Sequence, residues 1–188
     1  MKTLYFITSN EGKVREATEK LKPYGYNIVQ KNYGYPEIQA DHLEDVAEFG
    51  VKYLQEKKID HPFVLEDAGI FIDALNGFPG VYSSYAYFTI GLDGILQLTK
   101  TISQKERTAV FRSVYAYGTP DGESELFIGT CKGSITSEKR GTKGFGYDPI
   151  FQPKGFTKTF AEMNSEEKNN ISHRARSLEQ LVSFLQNK

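Results

Sequence analysis

The feature that most constrains the fold is a pair of long β-rich segments separated by a strong turn. Residues 108–117 and 125–136 are rich in β-branched and aromatic side chains, which favour strands. Between them, Thr119-Pro120-Asp121-Gly122 combines the residue types of a tight turn. The pattern predicts an antiparallel hairpin, so the fold must contain a sheet with antiparallel neighbours.

Before this hairpin, short apolar runs alternate with amphipathic segments. Strands are predicted at residues 4–7, 27–30, 63–65 and 70–75. The spacing of apolar side chains predicts helices around residues 14–21, 43–54 and 92–99, and a last one over 175–185. Asn164 and Glu167 have the spacing of an N-terminal capping box.

This order of elements predicts an α/β fold, with a mixed, twisted β-sheet and flanking helices. No internal repeat or Gly/Ser-rich linker divides the 188 residues. We therefore expect one domain over residues 1–188, with two lobes around a central cleft.

Composition excludes several classes of function. A formal net charge of −1 gives no basic field, so binding to a nucleic acid polymer is not expected. Cys131 is the only cysteine, which rules out an internal disulfide and a four-thiolate zinc site. The apolar run at residues 4–7 is too short for a signal peptide, and no stretch approaches a membrane span. We expect a soluble, cytoplasmic protein without a membrane partner.

Familiar catalytic motifs are absent from the sequence. There is no P-loop, no nucleophile elbow and no metalloprotease helix motif. The run Gly144-Phe145-Gly146-Tyr147-Asp148-Pro149 lacks the third glycine of a dinucleotide fingerprint. The chemistry must therefore come from other polar segments.

Two such segments follow predicted strands, and each has two interpretations. In Thr8-Ser9-Asn10-Glu11-Gly12-Lys13, polar groups and a lysine meet at a helix start, which suits phosphate binding. The alternative is an N-cap followed by a solvated lysine. In Glu66-Asp67-Ala68-Gly69, two acids at a strand end need solvent, a cation or a partner, or form an ordinary acid pair before a turn. Because side chains alternate along a strand, we expect only one acid to face a cleft.

Two further segments lie near the C-terminus. The glycines beside Phe145 allow close backbone approach, and Phe145 either stacks on a base or returns to the core. In the segment 168–174, Ser172 is expected to cap the last helix, which puts His173 and Arg174 in its first turn. Cations there oppose the helix dipole, which indicates a bound anion or electron-rich group, or else a basic surface turn.

Together, the four segments resemble the inosine triphosphate pyrophosphatase family. The matching stretches, in the family's order, are Thr8–Lys13, Glu66–Gly69, residues 74–83, residues 144–151, and residues 160–163 running on to Ser172-His173-Arg174. The resemblance implies an elongated two-lobed α/β structure with a nucleotide cleft, usually a homodimer.

Roles carry over from the family by motif. The resemblance implies that Mg²⁺ is bound by Glu37 and Asp67, and that Asp67 is also the general base. It implies that the triphosphate is bound by Thr8, Ser9, Asn10, Glu11, Gly12 and Lys13. It implies that the nucleotide site is lined by Ala68, Gly146, Tyr147, Asp148 and Lys168. Phe145 would stack on the purine, and His173 and Arg174 would recognise the base. Ala68 departs from the serine of many members, and Lys52 is a loose match to a family lysine.

The expected function is hydrolysis of non-standard purine nucleoside triphosphates, such as those of inosine, deoxyinosine and xanthosine, to the monophosphate and pyrophosphate. One rival is a pyrophosphatase for modified pyrimidine or methylated nucleotides, which the Ser172-His173-Arg174 segment argues against. Another is a nucleotide sensor or RNA-binding module without catalysis, which intact Glu37 and Asp67 argue against. A purely structural protein would not need so many converging polar loops.

Overall fold

The computed structural model describes all 188 residues and contains seven strands, six α-helices and four short 3₁₀ helices. The strands are β1 (Lys2–Ile7), β2 (Tyr26–Lys31), β3 (Phe63–Ile72), β4 (Pro79–Gly80), β5 (Thr108–Gly118), β6 (Ser124–Ile135) and β7 (Phe151–Pro153). The helices are α1 (Glu11–Leu21), α2 (Leu43–Glu56), α3 (Ser83–Thr89), α4 (Gly91–Leu98), α5 (Ser165–Asn169) and α6 (His173–Gln186).

The strands form one mixed sheet in the order β2-β1-β3-β5-β6-β7, with β4 beside β3. β1 runs parallel to both β2 and β3, as βαβ connections require. The β3–β4 and β6–β7 pairs are antiparallel. The predicted α/β class with a mixed sheet and flanking helices is confirmed.

The chain divides into two compact units, each with its own apolar core. The first unit comprises residues 1–67, 113–129 and 176–188. Its core is built on β1, α1 and the apolar face of α6, where Leu178, Leu181 and Leu185 are buried. The second unit comprises residues 68–112 and 130–175, and its core centres on Phe111, Phe151 and Phe160.

One strand differs from its prediction in a way that matters for the site. Two short strands were expected, one ending at the Glu66-Asp67 pair and another over residues 70–75. Instead, β3 is continuous from Phe63 to Ile72, and residues 73–75 form a 3₁₀ turn. The acid pair therefore lies inside a strand, so the interpretation of an acid pair before a turn is wrong.

Small residues explain this continuity. Ala68 and Gly69 follow the acids, and a Cβ atom placed on Gly69 would overlap the carbonyl oxygen of Gly80. The glycine is therefore not a turn residue but the point where the β4 backbone approaches β3. An isolated glycine inside a strand often marks such an approach.

The long hairpin is confirmed as β5 and β6, which are sheet neighbours joined by the turn in which Gly122 donates its N–H to Thr119. The capping box of Asn164 and Glu167 is confirmed at the start of α5. Sequence reasoning missed α3, β4 and β7, which are short. No helix has both the length and the apolar character needed to cross a membrane.

The close approach at Gly69 can be tested by substitution. The overlap at Gly69→Ala involves backbone, so β3 and β4 would have to separate. We expect a loss of about 1–3 kcal/mol in the free energy of unfolding, measured by urea denaturation. Gly25→Asn is the control, because nothing lies within 4 Å of a Cβ there and asparagine tolerates the left-handed conformation. Equal stability of Gly69→Ala and the unmodified protein would contradict the proposed packing.

Candidate active site

The polar segment after β1 forms the start of α1. Asn10 is the N-cap, and its side-chain oxygen accepts the backbone N–H of Lys13 at 3.2 Å. The backbone N–H of Asn10 in turn donates to the Thr8 hydroxyl at 3.1 Å. Ser9, Asn10 and Glu11 are exposed, so the positive end of the helix dipole is accessible to an anion.

Lys13 is not the solvated lysine of the alternative interpretation. Its Nζ lies 2.6 Å from Oε2 of Glu66 and donates to the Glu66 carbonyl oxygen at 2.9 Å. The Glu66 side chain is fully buried, whereas that of Lys13 keeps 18% of its surface exposed. The ammonium group therefore holds a fixed place beside β3 while remaining accessible from one side.

Hydroxyl groups complete the surroundings of Glu66. Ser113, on β5, donates to Oε1 of Glu66 at 2.7 Å, and its oxygen lies 3.0 Å from that of Ser177 on α6. A buried carboxylate requires a cation and hydrogen bonds of this kind. The prediction that the two acids point to opposite faces agrees with their exposure, since Glu66 is buried and Asp67 only half-buried.

The phenol of Tyr35 is affected by the charges of nearby carboxylates. Burial, followed by the charges of Asp67, Glu37 and Glu66, raises the pKa of the Tyr35 phenol above its ordinary value. Glu37 lies on the loop between β2 and α2 and is exposed. The two predicted metal ligands thus act electrostatically on the same hydroxyl group within the first unit.

These two carboxylates suit a hard divalent cation that takes its other ligands from water and substrate. No group of three or more His, Cys, Asp or Glu side chains is arranged to hold a metal. Mg²⁺ does not need one, since it commonly binds one or two carboxylates together with phosphate oxygens and waters. Glu37 and Asp67 have the oxygen donors that this ion prefers, so these two residues could hold it.

In the second unit, Phe145 lies beneath two cations. Nζ of Lys168 is 4.7 Å from the centre of its ring, and the guanidinium carbon of Arg174 is 5.1 Å from it. The ring itself is half-buried, and the neighbouring Gly146 has no atom within 4 Å of a built Cβ. Three residues predicted for the nucleotide site are therefore brought together here.

Asp148 organises this loop. Its Oδ2 accepts from Nζ of Lys168 at 2.7 Å and from the backbone N–H of Phe145 at 2.8 Å. A Cβ on Gly144 would overlap that carboxylate. Gly144 was expected to admit a ligand, but it makes room for Asp148 instead, because the carboxylate must reach across the turn to the Phe145 N–H.

His173 and Arg174 occupy the first turn of α6, as predicted. The Ser172 hydroxyl accepts the N–H of Ala175 at 3.1 Å, which confirms the expected cap. The imidazole of His173 stacks on Phe111 with ring centres 4.5 Å apart and planes 6° apart. Both residues are buried, so the interpretation of a basic surface turn is wrong.

Tyr147 belongs to the core of the second unit. Its ring is buried, and its hydroxyl donates to the carbonyl oxygen of Ser83 at 2.7 Å. Burial raises the pKa of this phenol above its ordinary value. Tyr147 was expected to line the nucleotide site, but its ring packs in the core and its hydroxyl bonds to the backbone of Ser83.

Sequence reasoning left three residues out of the site that act on predicted site residues. Glu66 anchors Lys13, Tyr35 lies among the carboxylates, and Phe111 supports His173. Only Glu66 carried a signal, as an acid next to apolar residues 63–65 that had to be paired if buried. The other two are aromatic residues whose neighbours come from distant parts of the chain.

Comparison with known proteins extends these observations to the whole chain. Residues 4–184 match the model of the Ham1 family. The chain is 53% identical over 182 residues to the dITP/XTP pyrophosphatase of Thermococcus kodakarensis, which covers 97% of this chain and 96% of that protein. The dITP/XTP pyrophosphatase of Pyrococcus horikoshii shows the same identity and coverage. The solved Ham1 protein of Staphylococcus aureus has a TM-score of 0.85 over 99% of both chains, at 28% identity.

The buried Asp148–Lys168 pair leads to a prediction about stability. Lys168→Ala leaves a buried carboxylate without its cation, which typically costs about 3–5 kcal/mol. Lys158→Ala is the control, because its pair with Glu167 is exposed and worth about 1 kcal/mol or less. Urea denaturation of both variants gives the two losses, and equal losses would contradict the assigned role of Lys168.

Proposed function

This chain belongs to the Ham1 family, and we propose that it hydrolyses non-standard purine nucleoside triphosphates to the nucleoside monophosphate and pyrophosphate. The substrates we propose are the triphosphates of inosine, deoxyinosine and xanthosine. The observation that carries the proposal is the identity of 53% to relatives named dITP/XTP pyrophosphatase, over nearly the whole length. Such a reaction would cleanse the nucleotide pool of the cytoplasm.

The triphosphate is assigned to the start of α1. First-turn N–H groups of a helix lack intrahelical acceptors and attract phosphate oxygens, which fits Glu11 and Gly12. Thr8, Ser9 and Asn10 add polar groups at the same end. Lys13 supplies a positive charge that Glu66 holds in place before the substrate arrives.

We assign Mg²⁺ to Glu37 and Asp67, because their oxygen donors fit this ion and both act on Tyr35. The bound ion would supply positive charge against the phosphate oxygens of the leaving group. Asp67 is half-buried on β3, so its carboxylate keeps access to solvent. That access is what a residue requires to orient a water molecule.

Asp67 is also assigned as the general base. One of its oxygens accepts a proton as the oxygen of water forms a bond to the α-phosphorus. The bond between the α-phosphorus and the bridging oxygen breaks, and pyrophosphate leaves with the electron pair. General-base assistance of this kind is typically worth ~10²–10⁴-fold in rate.

The purine base is assigned to the second unit. Phe145 offers a ring for stacking, beside Gly146 and the Asp148–Lys168 pair. Ala68, on β3, is assigned to the same site. Arg174 has only donors, and protonated His173 would also donate from both nitrogens. A 6-carbonyl accepts hydrogen bonds whereas the 6-amino group of adenine donates them, so adenine would leave donors unpaired at ~1–3 kcal/mol each.

A nucleotide panel with product identification tests this function. With Mg²⁺, we expect pyrophosphate rather than orthophosphate from the inosine, deoxyinosine and xanthosine triphosphates, with kcat/KM roughly tenfold or more above that for ATP. Chelation of the metal should abolish release. Tight triphosphate binding without any product would overturn the proposal and favour a sensor.

The role of Asp67 has its own test. Asp67→Asn removes both the base and a proposed metal ligand but keeps the size of the side chain, so we expect kcat to fall by at least ~10²–10⁴-fold with an unchanged melting temperature. Asp93→Asn serves as control, since that side chain is 80% exposed. Near-normal turnover by Asp67→Asn would remove Asp67 from the base role.

We further propose that two copies associate through α3. This helix exposes Tyr85 by 72% and Phe88 by 81%, and large exposed aromatic side chains typically mark interfaces. Light scattering of the double variant Tyr85→Glu/Phe88→Glu should show a monomer where the unmodified chain shows a dimer. Phe156→Glu, at another exposed aromatic residue, should leave the dimer intact. A monomeric unmodified chain would contradict the proposed association.

A further inference from the structure

Glu37 lies on a segment without regular secondary structure, residues 32–42, between β2 and α2. Fixing the backbone of such a segment costs ~1–2 kcal/mol per residue in conformational entropy. A metal ligand on a mobile loop would meet that cost each time the ion binds. The carboxylate is useful to a metal site only if something else holds the segment in place.

Tyr35 provides the attachment, and its ring lies against the backbone of α2. A Cβ built on Gly50 would be 2.9 Å from both Cδ2 and Cε2 of Tyr35, and 2.9 Å from Cδ2 of Leu65. Glycine in a helix interior costs roughly 1 kcal/mol relative to alanine, so it requires a reason in packing. The reason here is that the phenol ring occupies the space where a side chain would be.

The contact at Gly50 involves residues that are close in sequence to Glu37 and to Asp67. Tyr35 precedes Glu37 by two residues, and Leu65 precedes Asp67 by two residues on β3. The segment that carries Glu37 and the strand that carries Asp67 therefore meet at Gly50.

We propose that Tyr35 is a positioning residue for the divalent cation: its ring, seated on Gly50, holds the 32–42 segment so that Glu37 stays beside Asp67 before the ion binds. The proposal rests on the proposed roles of Glu37 and Asp67 as ligands. Packing of the ring holds the segment, so metal binding should depend on the ring of Tyr35 more than on its hydroxyl group.

Four variants separate these contributions. Tyr35→Ala removes the ring, and Gly50→Ala blocks its seat without changing Tyr35 or either ligand. Tyr35→Phe keeps the ring and removes only the hydroxyl. Tyr33→Ala is the matched control, since Tyr33 lies on the same segment and is 53% exposed.

The primary measurement is Mn²⁺ binding to the nucleotide-free protein, followed by electron paramagnetic resonance. Loss of a residue that orients a metal ligand typically weakens binding by ~10–100-fold, and we expect Tyr35→Ala and Gly50→Ala to reach that range. Tyr35→Phe and Tyr33→Ala should stay within about threefold of the unmodified protein, well below that range. Raising Mg²⁺ should restore kcat in Tyr35→Ala, because the defect lies in metal affinity.

A double-mutant cycle gives the sharpest test. If both single variants act by unseating one ring, Gly50→Ala should cost much less in a Tyr35→Ala background than alone, because only its contact with Cδ2 of Leu65 remains. Additive losses would overturn the proposal, as would Mn²⁺ affinities of both single variants equal to that of the unmodified protein. Thermal denaturation verifies folding, and should Gly50→Ala unfold, the comparison of Tyr35→Ala with Tyr35→Phe decides alone.

Failure of the ligand assignment would look different. Glu37→Gln and Asp67→Asn should each abolish Mn²⁺ binding if those residues are ligands. Unchanged binding in these two variants would refute the metal site itself. Lost binding there, together with normal binding by Tyr35→Ala and Gly50→Ala, would refute only the positioning role of Tyr35.

Discussion

The buried carboxylate of Glu66 lies in the middle of β3, where it would be costly without a cation and a hydroxyl donor. Lys13 supplies the cation and Ser113 the hydroxyl, at 2.6 Å and 2.7 Å. These contacts fix the first turn of α1 against β3. The exposed start of α1, where we propose that the triphosphate binds, is thereby held beside the half-buried Asp67, which is the next residue along β3.

A similar solution recurs in the second unit, where Asp148 holds Lys168 at 2.7 Å. The same carboxylate accepts the N–H of Phe145, so a single buried anion fixes both a cation and the backbone beneath an aromatic ring. In each unit a buried acid from one of the polar segments, Glu66 or Asp148, serves to hold a lysine. Such pairs keep charge in place without lengthy reorganisation when an anion binds.

The predictions from sequence succeeded where the signal is local. Asn10 and Asn164 as caps, the hairpin around Gly122 and the apolar face ending at Leu185 all depend on neighbours a few residues away. The continuity of β3 through Gly69 was missed, because a glycine normally favours a turn and only the approach of β4 explains it. Short elements such as α3 have too few residues to show a period.

The sequence by itself determined the mixed α/β class and the order in which the polar segments follow one another, because propensity, periodicity and motif spacing are properties of neighbouring residues. Through the family resemblance, it also led to the residues that we propose for phosphate, metal and base. Only the tertiary structure decided that Lys13 pairs with Glu66, that His173 stacks on Phe111 and that Tyr35 rests on Gly50. Each of those contacts joins residues far apart along the chain, and burial of a charge or ring specifies that a partner must exist without specifying which one.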